Sequence, residues 1–297
     1  YIEQALHSEM SANIIDLCPV GALTSRPYAF AARPWELKKV ESIDVMDAVG
    51  SNIRVDVRGN AVLRILPRLH EGVNEEWISD KTRYVCDGLR TQRLDNPYVR
   101  VNGKLQPVSW DEAFAAIKAR IEKLDGTEMA ALAGNLVSVE AMLALKDLMI
   151  SLGSPNLDCR QDGAYIPQKQ RSDYLFNTTI AGIEKADFIL LIGTNPRLEA
   201  PLVNTRIRKR YLRGGLTIAN IGNVHDLTYP VQDLGTNPAL LADILTGSHP
   251  LCAALASAKN PMLVLGMGIR MKKIKWRRCS RWCSVDLVRV AQMPRQT

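Results

Sequence analysis

Cys18 stands directly before Pro19 in the stretch "NIIDLCPVGAL" (Asn13 to Leu23). A Cys-Pro pair closes the bacterial-type iron–sulfur motif C-x2-C-x2-C-x3-C-P, so the local chemistry suggested is a thiolate that ligates iron. The spacing is not fulfilled, because no cysteine precedes Cys18 and one thiolate cannot hold a cluster that takes four ligands. On the residues alone, a buried structural thiol is the stronger reading, since free cysteine is among the most buried residue types. A second candidate is the loop "IGTNPRLEAP" (Ile192 to Pro201). A strand running into Gly-Thr-Asn-Pro and then a helix is the geometry that sets phosphates or a dinucleotide at a helix N-terminus. There Gly193 would allow close backbone approach and Asn195 would bond a ribose or base. An ordinary strand-to-helix loop closed by Pro196 explains the same residues at least as well. His225 and Asp226 are adjacent, so they project differently and suggest loop residues rather than a catalytic set. "WISDKTRYVCDGLRTQRLDNPYVR" (Trp77 to Arg100) reads as a salt-bridged loop and short helix. Neither a G-x-G-x-x-G string nor a P-loop occurs.

The elements that must position these residues follow from periodicity. From Glu41 to Pro67 apolar and polar residues alternate, with turn signals at Gly50-Ser51-Asn52 and Gly59-Asn60. This predicts a small antiparallel meander with Ile43, Val45, Ile53, Val55, Val57, Val62 and Ile65 on one face. From Ser109 the rhythm changes to strand alternating with helix. Ser109 and Glu112 form a capping box, and Ala113, Ile117, Ile121 and Leu124 recur at helical spacing. "EMAALAG" predicts a strand, and "SVEAMLALKDLMISLG" a helix stopped by Gly153. "ADFILLIG" is a continuous apolar run, as in a strand buried on both faces. "EAPLVNTRIRKRYLRGG", "LTIANIG", "NPALLADILTG" and "NPMLVLGMG" continue as helix, strand, helix and strand. Such alternation predicts a doubly wound α/β domain with a parallel sheet.

The composition, with 46% hydrophobic and 23% charged residues among 297, is that of an ordinary globular chain. No apolar run approaches the roughly 20 residues that span a bilayer, so direct membrane insertion is not expected. The six cysteines, Cys18, Cys86, Cys159, Cys252, Cys279 and Cys283, are too irregularly spaced for a disulfide framework, which fits a reducing compartment. Cys159 reads as a small core or loop residue. The net charge of +7 is a property of the tail: residues 269–297 hold nine Lys/Arg and one Asp, leaving the preceding 268 residues at −1. Only that tail would support nucleic-acid binding, so no nucleic-acid partner is expected. The tail also breaks the strand–helix rhythm, which suggests a frameshift or truncation, and the start at Tyr1 suggests a fragment.

Taken together, the strings "NIIDLCPVGALTSRPYAFAARPWELKKVESIDVMDAVGSNIRVDVRG", "ILPRLHEGVNEEWISDKTRYVCDGLRTQRL" and "ADFILLIGTNPRLEAP" closely resemble one family. It is the large iron–sulfur subunit of the proton-pumping NADH:quinone oxidoreductase, respiratory complex I, and the match runs from Tyr1 to about Gly268. The resemblance implies that Cys18 is the fourth ligand of a 4Fe–4S cluster whose other three come from a C-x-x-C-x-x-C motif upstream of Tyr1. It implies four segments. Residues 1–24 end a ferredoxin-like iron–sulfur module, 25–100 form a small β-rich domain, 101–268 form a truncated molybdopterin-oxidoreductase-like α/β domain, and 269–297 form an anomalous basic tail. It further implies an electron-transfer and scaffold role in the peripheral arm, with other complex I subunits as partners. The location implied is peripheral to the inner membrane, facing the bacterial cytoplasm or mitochondrial matrix. The alternative is a molybdopterin-dependent oxidoreductase of formate dehydrogenase type. Catalytic relatives usually carry a Val-Asp-Pro-Arg-like string where this chain has "ANIGN" (Ala219 to Asn223). Molybdopterin is therefore not expected, and Gly193 and Asn195 are read as a vestigial cofactor loop.

Overall fold

The computed structural model describes residues 6–134, 136–159, 175–176, 178–266 and 268. The basic tail from residue 269 lies outside the described residues. Two compact units divide the chain, one formed by Tyr1–Cys86 with Tyr165–Thr297 and the other by Asp87–Ala164.

Among the described residues, the first helix of the first unit is a single turn, α1 (Asn13–Leu17), followed by a three-stranded antiparallel meander of β1 (Lys38–Ile43), β2 (Asn52–Arg58) and β3 (Ala61–Pro67). Val55 pairs with Val40 on one side and Ile65 on the other, which fixes the register. One face packs Ile53 and Ile65 against Ile78 and Cys86, with Val55 and Val62 alongside. Ile43 and Val45 depart from the expected face and are exposed: Ile43 ends the edge strand β1, which no described residue buries, and Val45 lies beyond its end. On β2 the buried carboxylate of Asp56 is held between Arg54 and Arg64 at 2.9 and 2.7 Å. A short helix, α2 (Asp80–Tyr84), follows, capped by the Ser79 hydroxyl, which accepts from the Thr82 amide.

The second unit holds a hairpin of β4 (Tyr98–Val101) and β5 (Lys104–Pro107), turned at Asn102-Gly103 with φ of 49° and 80°. Positive φ at both positions is the type I′ pattern that suits the strand twist. Next comes α3 (Trp110–Ile121), whose capping box is formed as expected: Ser109 N–H donates to Glu112 and the Glu112 N–H donates to Ser109 Oγ. The strand at Ala131–Leu132 (β6) is shorter than the sequence suggests. Among the described residues it pairs only with β7 (Leu157–Asp158), in parallel, across α4 (Val139–Ser151).

The remainder of the first unit is a four-stranded parallel sheet. Its elements are β8 (Phe188–Ile192), α5 (Pro196–Glu199), α6 (Pro201–Leu212), β9 (Thr217–Ile221), β10 (Gln232–Asp233), α7 (Ala239–Thr246), α8 (Leu251–Ser257) and β11 (Pro261–Leu265). The strand order is β10-β9-β8-β11. Every residue of β8 is buried. Ile189 and Leu191 face a core with Leu202, Val203 and Ile207 of α6, while Phe188, Leu190 and Ile192 face Leu241, Ile244, Leu251 and Leu255 of α7 and α8. A strand covered on both faces must be apolar at every position, which is why its sequence shows no alternation. Among the described residues, no single helix is long and apolar enough to cross a membrane.

Candidate functional site

Pro19 determines the backbone at Cys18. A residue before proline is pushed out of the helical region, and Cys18, the C-cap of α1, is extended at φ −79° and ψ 105°. The chain then turns through Gly21, whose φ of +66° favours glycine. The amides of Leu23 and Val20 lead in lowering the Cys18 pKa below the usual thiol range; burial pushes the other way, and the amides of Ala22 and Gly21 add to the lowering. Donors aimed at a sulfur stabilise its thiolate form. That environment fits a metal-ligating thiolate. Among the described residues, no group of three or more His, Cys, Asp or Glu could hold a metal ion.

Helix α1 is too short to form alone, and polar contacts from distant sequence fasten it. Its N-cap, Ala12, has no capping side chain. Asp80 supplies one from α2, its carboxylate accepting the Ala12 N–H at 2.9 Å while the Asp80 N–H donates to Glu9 O at 2.8 Å. Burial pushes the Asp80 carboxyl up. The Asn13 side chain is buried and saturated. Its amide donates to Ile78 O at 2.7 Å and Met10 O at 2.9 Å, and its Oδ1 accepts from Ile78 N–H and from Arg83. Arg83 also pairs with Asp16. On the other side, Arg197 of α5 donates to Glu9 at 2.8 Å and to the Asp226 carboxylate at 2.8 Å. The sequence marks none of Asn13, Asp80 or Arg83 as special. Their partners lie 65 to 70 residues apart, and no local pattern reports such a pairing.

The second candidate loop is built differently. Gly193 has φ of +57°, but its backbone groups are taken: its N–H donates to Ile221 O at 2.8 Å, and its carbonyl accepts from Gly268 N–H at 2.9 Å. A Cβ on Gly266 would lie 2.5 Å from that same carbonyl, and one on Gly222 would lie 3.3 Å from Gly193 N. The glycines therefore serve close packing between strand ends. Asn195 donates its N–H to Glu199, and its Oδ1 is buried without a partner among the described residues. In "ANIGN" the buried Asn220 side chain bonds back to Asn223 O at 3.1 Å. One leftover oxygen is not a cradle, and the loop does not fit a pterin–guanine cofactor. Asp226 is engaged by Arg197, and the amide of Thr228 first, then Arg197, lower its pKa. Cys159 is exposed.

The parallel sheet and the helices on both its faces define a doubly wound α/β domain. The family model described as molybdopterin oxidoreductase matches residues 93–275, and the chain belongs to that family. Two further models match: "NADH-quinone oxidoreductase subunit 3, ferredoxin-like domain" over residues 1–24, and "NADH-ubiquinone oxidoreductase NDSU1/NuoG-like, 4Fe-4S domain" over residues 37–87. The chain is 54% identical to the G subunit of the NADH-quinone oxidoreductase of Rickettsia felis over 269 residues, which covers 91% of this chain and 40% of that protein. It is also 54% identical to the mitochondrial NADH-ubiquinone oxidoreductase 78 kDa subunit of Neurospora crassa over 275 residues, covering 91% and 37%. The chain thus spans about two fifths of the length of the curated relatives it matches.

Proposed function

We propose that this chain is part of an electron-transfer and scaffold subunit of NADH:quinone oxidoreductase, and that Cys18 contributes a thiolate to a 4Fe–4S cluster. The observation that carries this is the match of residues 1–24 to the ferredoxin-like domain model, with Cys18 in the turn at Pro19 and Gly21, in a chain so similar to the Rickettsia felis protein. A 4Fe–4S cluster, when bound, supplies one-electron transfer. The residues here contribute the thiolate, the amides that spread its charge, and the polar fasteners that hold α1. Hydrogen bonds to sulfur and burial are the levers a protein has on such a centre. Residues 1–24 would end the iron–sulfur module, residues 25–100 would form a β-rich spacer, and residues 101–268 would be a scaffold against other peripheral-arm subunits. The location would be peripheral to the membrane, on the bacterial cytoplasmic or mitochondrial matrix side. A molybdopterin enzyme of formate dehydrogenase type is disfavoured by the occupied backbone of Gly193. The test is Cys18→Ala in the full-length subunit, with iron and molybdenum quantified and the cluster signals recorded by electron paramagnetic resonance. Loss of one cluster signal, without molybdenum, is the expected result. A full set of unchanged signals, or stoichiometric molybdenum, would overturn the proposal.

A further inference from the structure

The second unit shows its apolar residues to solvent. On α3, Trp110, Phe114 and Ile117 are 63%, 58% and 52% exposed, and their i, i+4, i+7 spacing sets them on one helix face. The Trp110 and Phe114 rings pack together, with centroids 5.6 Å apart. Val139, Leu143 and Ile150 form a like stripe on α4, and Leu132 of β6 and Leu157 of β7 are exposed as well. Among the described residues of this unit, the buried apolar side chains are those of Ala113, Ala133 and Met149 alone. That is far too little burial to hold a unit of this size together, and apolar surface exposed on this scale marks an interface. The sheet is unfinished too. Strands β6 and β7 are a parallel pair joined across α4, and among the described residues neither has another partner. Parallel sheets are otherwise covered on both faces, as β8 is.

We propose that the α3 and α4 stripes and the free edges of β6–β7 seat further strand–helix units from the remainder of the full-length protein, not a separate subunit or a second copy of this chain. Two observations select that occupant. A parallel strand joins its neighbour through a crossover of the same chain, so the β6–α4–β7 unit is extended most directly by more of its own polypeptide. The matched relatives possess that polypeptide: this chain spans 40% of the Rickettsia felis protein and 37% of the Neurospora crassa protein. Neither observation depends on the ligand role proposed for Cys18.

The experiment is hydroxyl-radical footprinting read by peptide mass spectrometry, on this chain, on the full-length protein alone and on the assembled oxidoreductase complex. Each residue is normalised to the urea-unfolded protein, with exposed Trp35 and buried Tyr229 as internal standards. In this chain, Trp110 and Phe114 are expected to be modified like Trp35. In the full-length protein alone they are expected to lose that reactivity and match Tyr229, with no further loss in the complex. Protection that arises only in the complex assigns the face to another subunit and overturns the proposal. Protection already present in this chain, whether by a second copy or by its own residues, overturns it too, as does full modification throughout. Phe114→Asp supplies a second reading. In the full-length protein it should lower the urea midpoint of unfolding, and in this chain, where residue 114 meets water, leave it unchanged. An unchanged midpoint in the full-length protein would overturn the proposal. If this chain aggregates, the full-length protein decides alone.

Discussion

Gly266 ends β11 where the chain crosses the loop after β8, and Gly266→Ala tests that crossing. Its N–H donates to Ile192 O at 3.0 Å, which holds the backbone in place. An added Cβ would lie 2.4 Å from Thr194 Cβ, 2.5 Å from Gly193 O and 2.6 Å from Thr194 Cα. Carbon atoms in contact prefer about 3.5–4.0 Å, so the two segments must separate by about 1 Å. None of these atoms is the movable end of a long side chain. Gly193 is pinned by Ile221 and Gly268, and Thr194 is buried. Overpacking of this kind costs about 1–3 kcal/mol, and a clash with fixed backbone belongs at the upper end. A loss of about 2–3 kcal/mol is a roughly 30- to 160-fold fall in the folding equilibrium constant at 1.36 kcal/mol per tenfold. Urea unfolding followed by tryptophan fluorescence reads it, since Trp77 packs against the core on the α6 side of the sheet. Gly59→Ala is the companion, with a φ of +58° but open space around it, and should lose about 1 kcal/mol from backbone strain alone. A Gly266→Ala protein within about 0.5 kcal/mol of the parent, the ordinary range for an unconstrained surface change, would refute the close crossing.

Cys18 should react with iodoacetamide faster than the buried Cys86, and its rate should level off with rising pH earlier than for an ordinary thiol, as peptide mass spectrometry would record. A Cys18 rate that keeps rising with pH as an ordinary thiol's does would refute the lowered pKa. Burial alone would raise the Asp187 pKa, but the amides of Lys259 and Asn260 lower it overall. Because its folded-state pKa is depressed, its stabilisation is present above the unfolded carboxylate pKa and is lost as pH falls through the folded value. Asp187→Asn should therefore cost about 1 kcal/mol at pH 7 and nothing once both forms are protonated, as acid titrations of stability would show. Arg206→Met should cost about 1–3 kcal/mol, the range for leaving buried acceptors without a donor, since Glu184 keeps Lys209 and Arg213. It removes the bond to Glu184 at 2.9 Å and unpairs the carbonyls of Glu71 and Val73. Arg213→Ala, half-exposed on the same Glu184, should cost less than about 1 kcal/mol in the same denaturation assay.

Some elements were legible because their cause is local. The capping box at Ser109 and Glu112 needs residues three apart, and β8 needs only an unbroken apolar run. Gly153 stops α4 with φ of +69°, again a one-residue effect. Alternation predicted the meander but misplaced Ile43 and Val45, because period two reveals which residues share a face and not whether another layer covers it. The Asn102-Gly103 turn was a strong hairpin signal that the charged stretch ending at Arg100 obscured. At the candidate site, Cys18 and the turn residues after it could be picked out from Cys-Pro and Gly21. The fasteners Asp80, Arg83 and Arg197 could not, since each is an ordinary charge whose significance comes only from a partner far along the chain.

The fastening of α1 also imposes an order on the protein's synthesis. Domains are made from the N-terminus at about 5–20 residues per second. Cys18 is translated before Ile78, Asp80 and Arg83, which must follow before its helix has its first clamp. Arg197 and Asp226 must follow before Glu9 is tied down. At those rates the second clamp arrives roughly 10–40 s after Cys18. A nascent chain therefore carries Cys18 without the second clamp over that interval, and the geometry of its sulfur is complete only once Asp226 has been made.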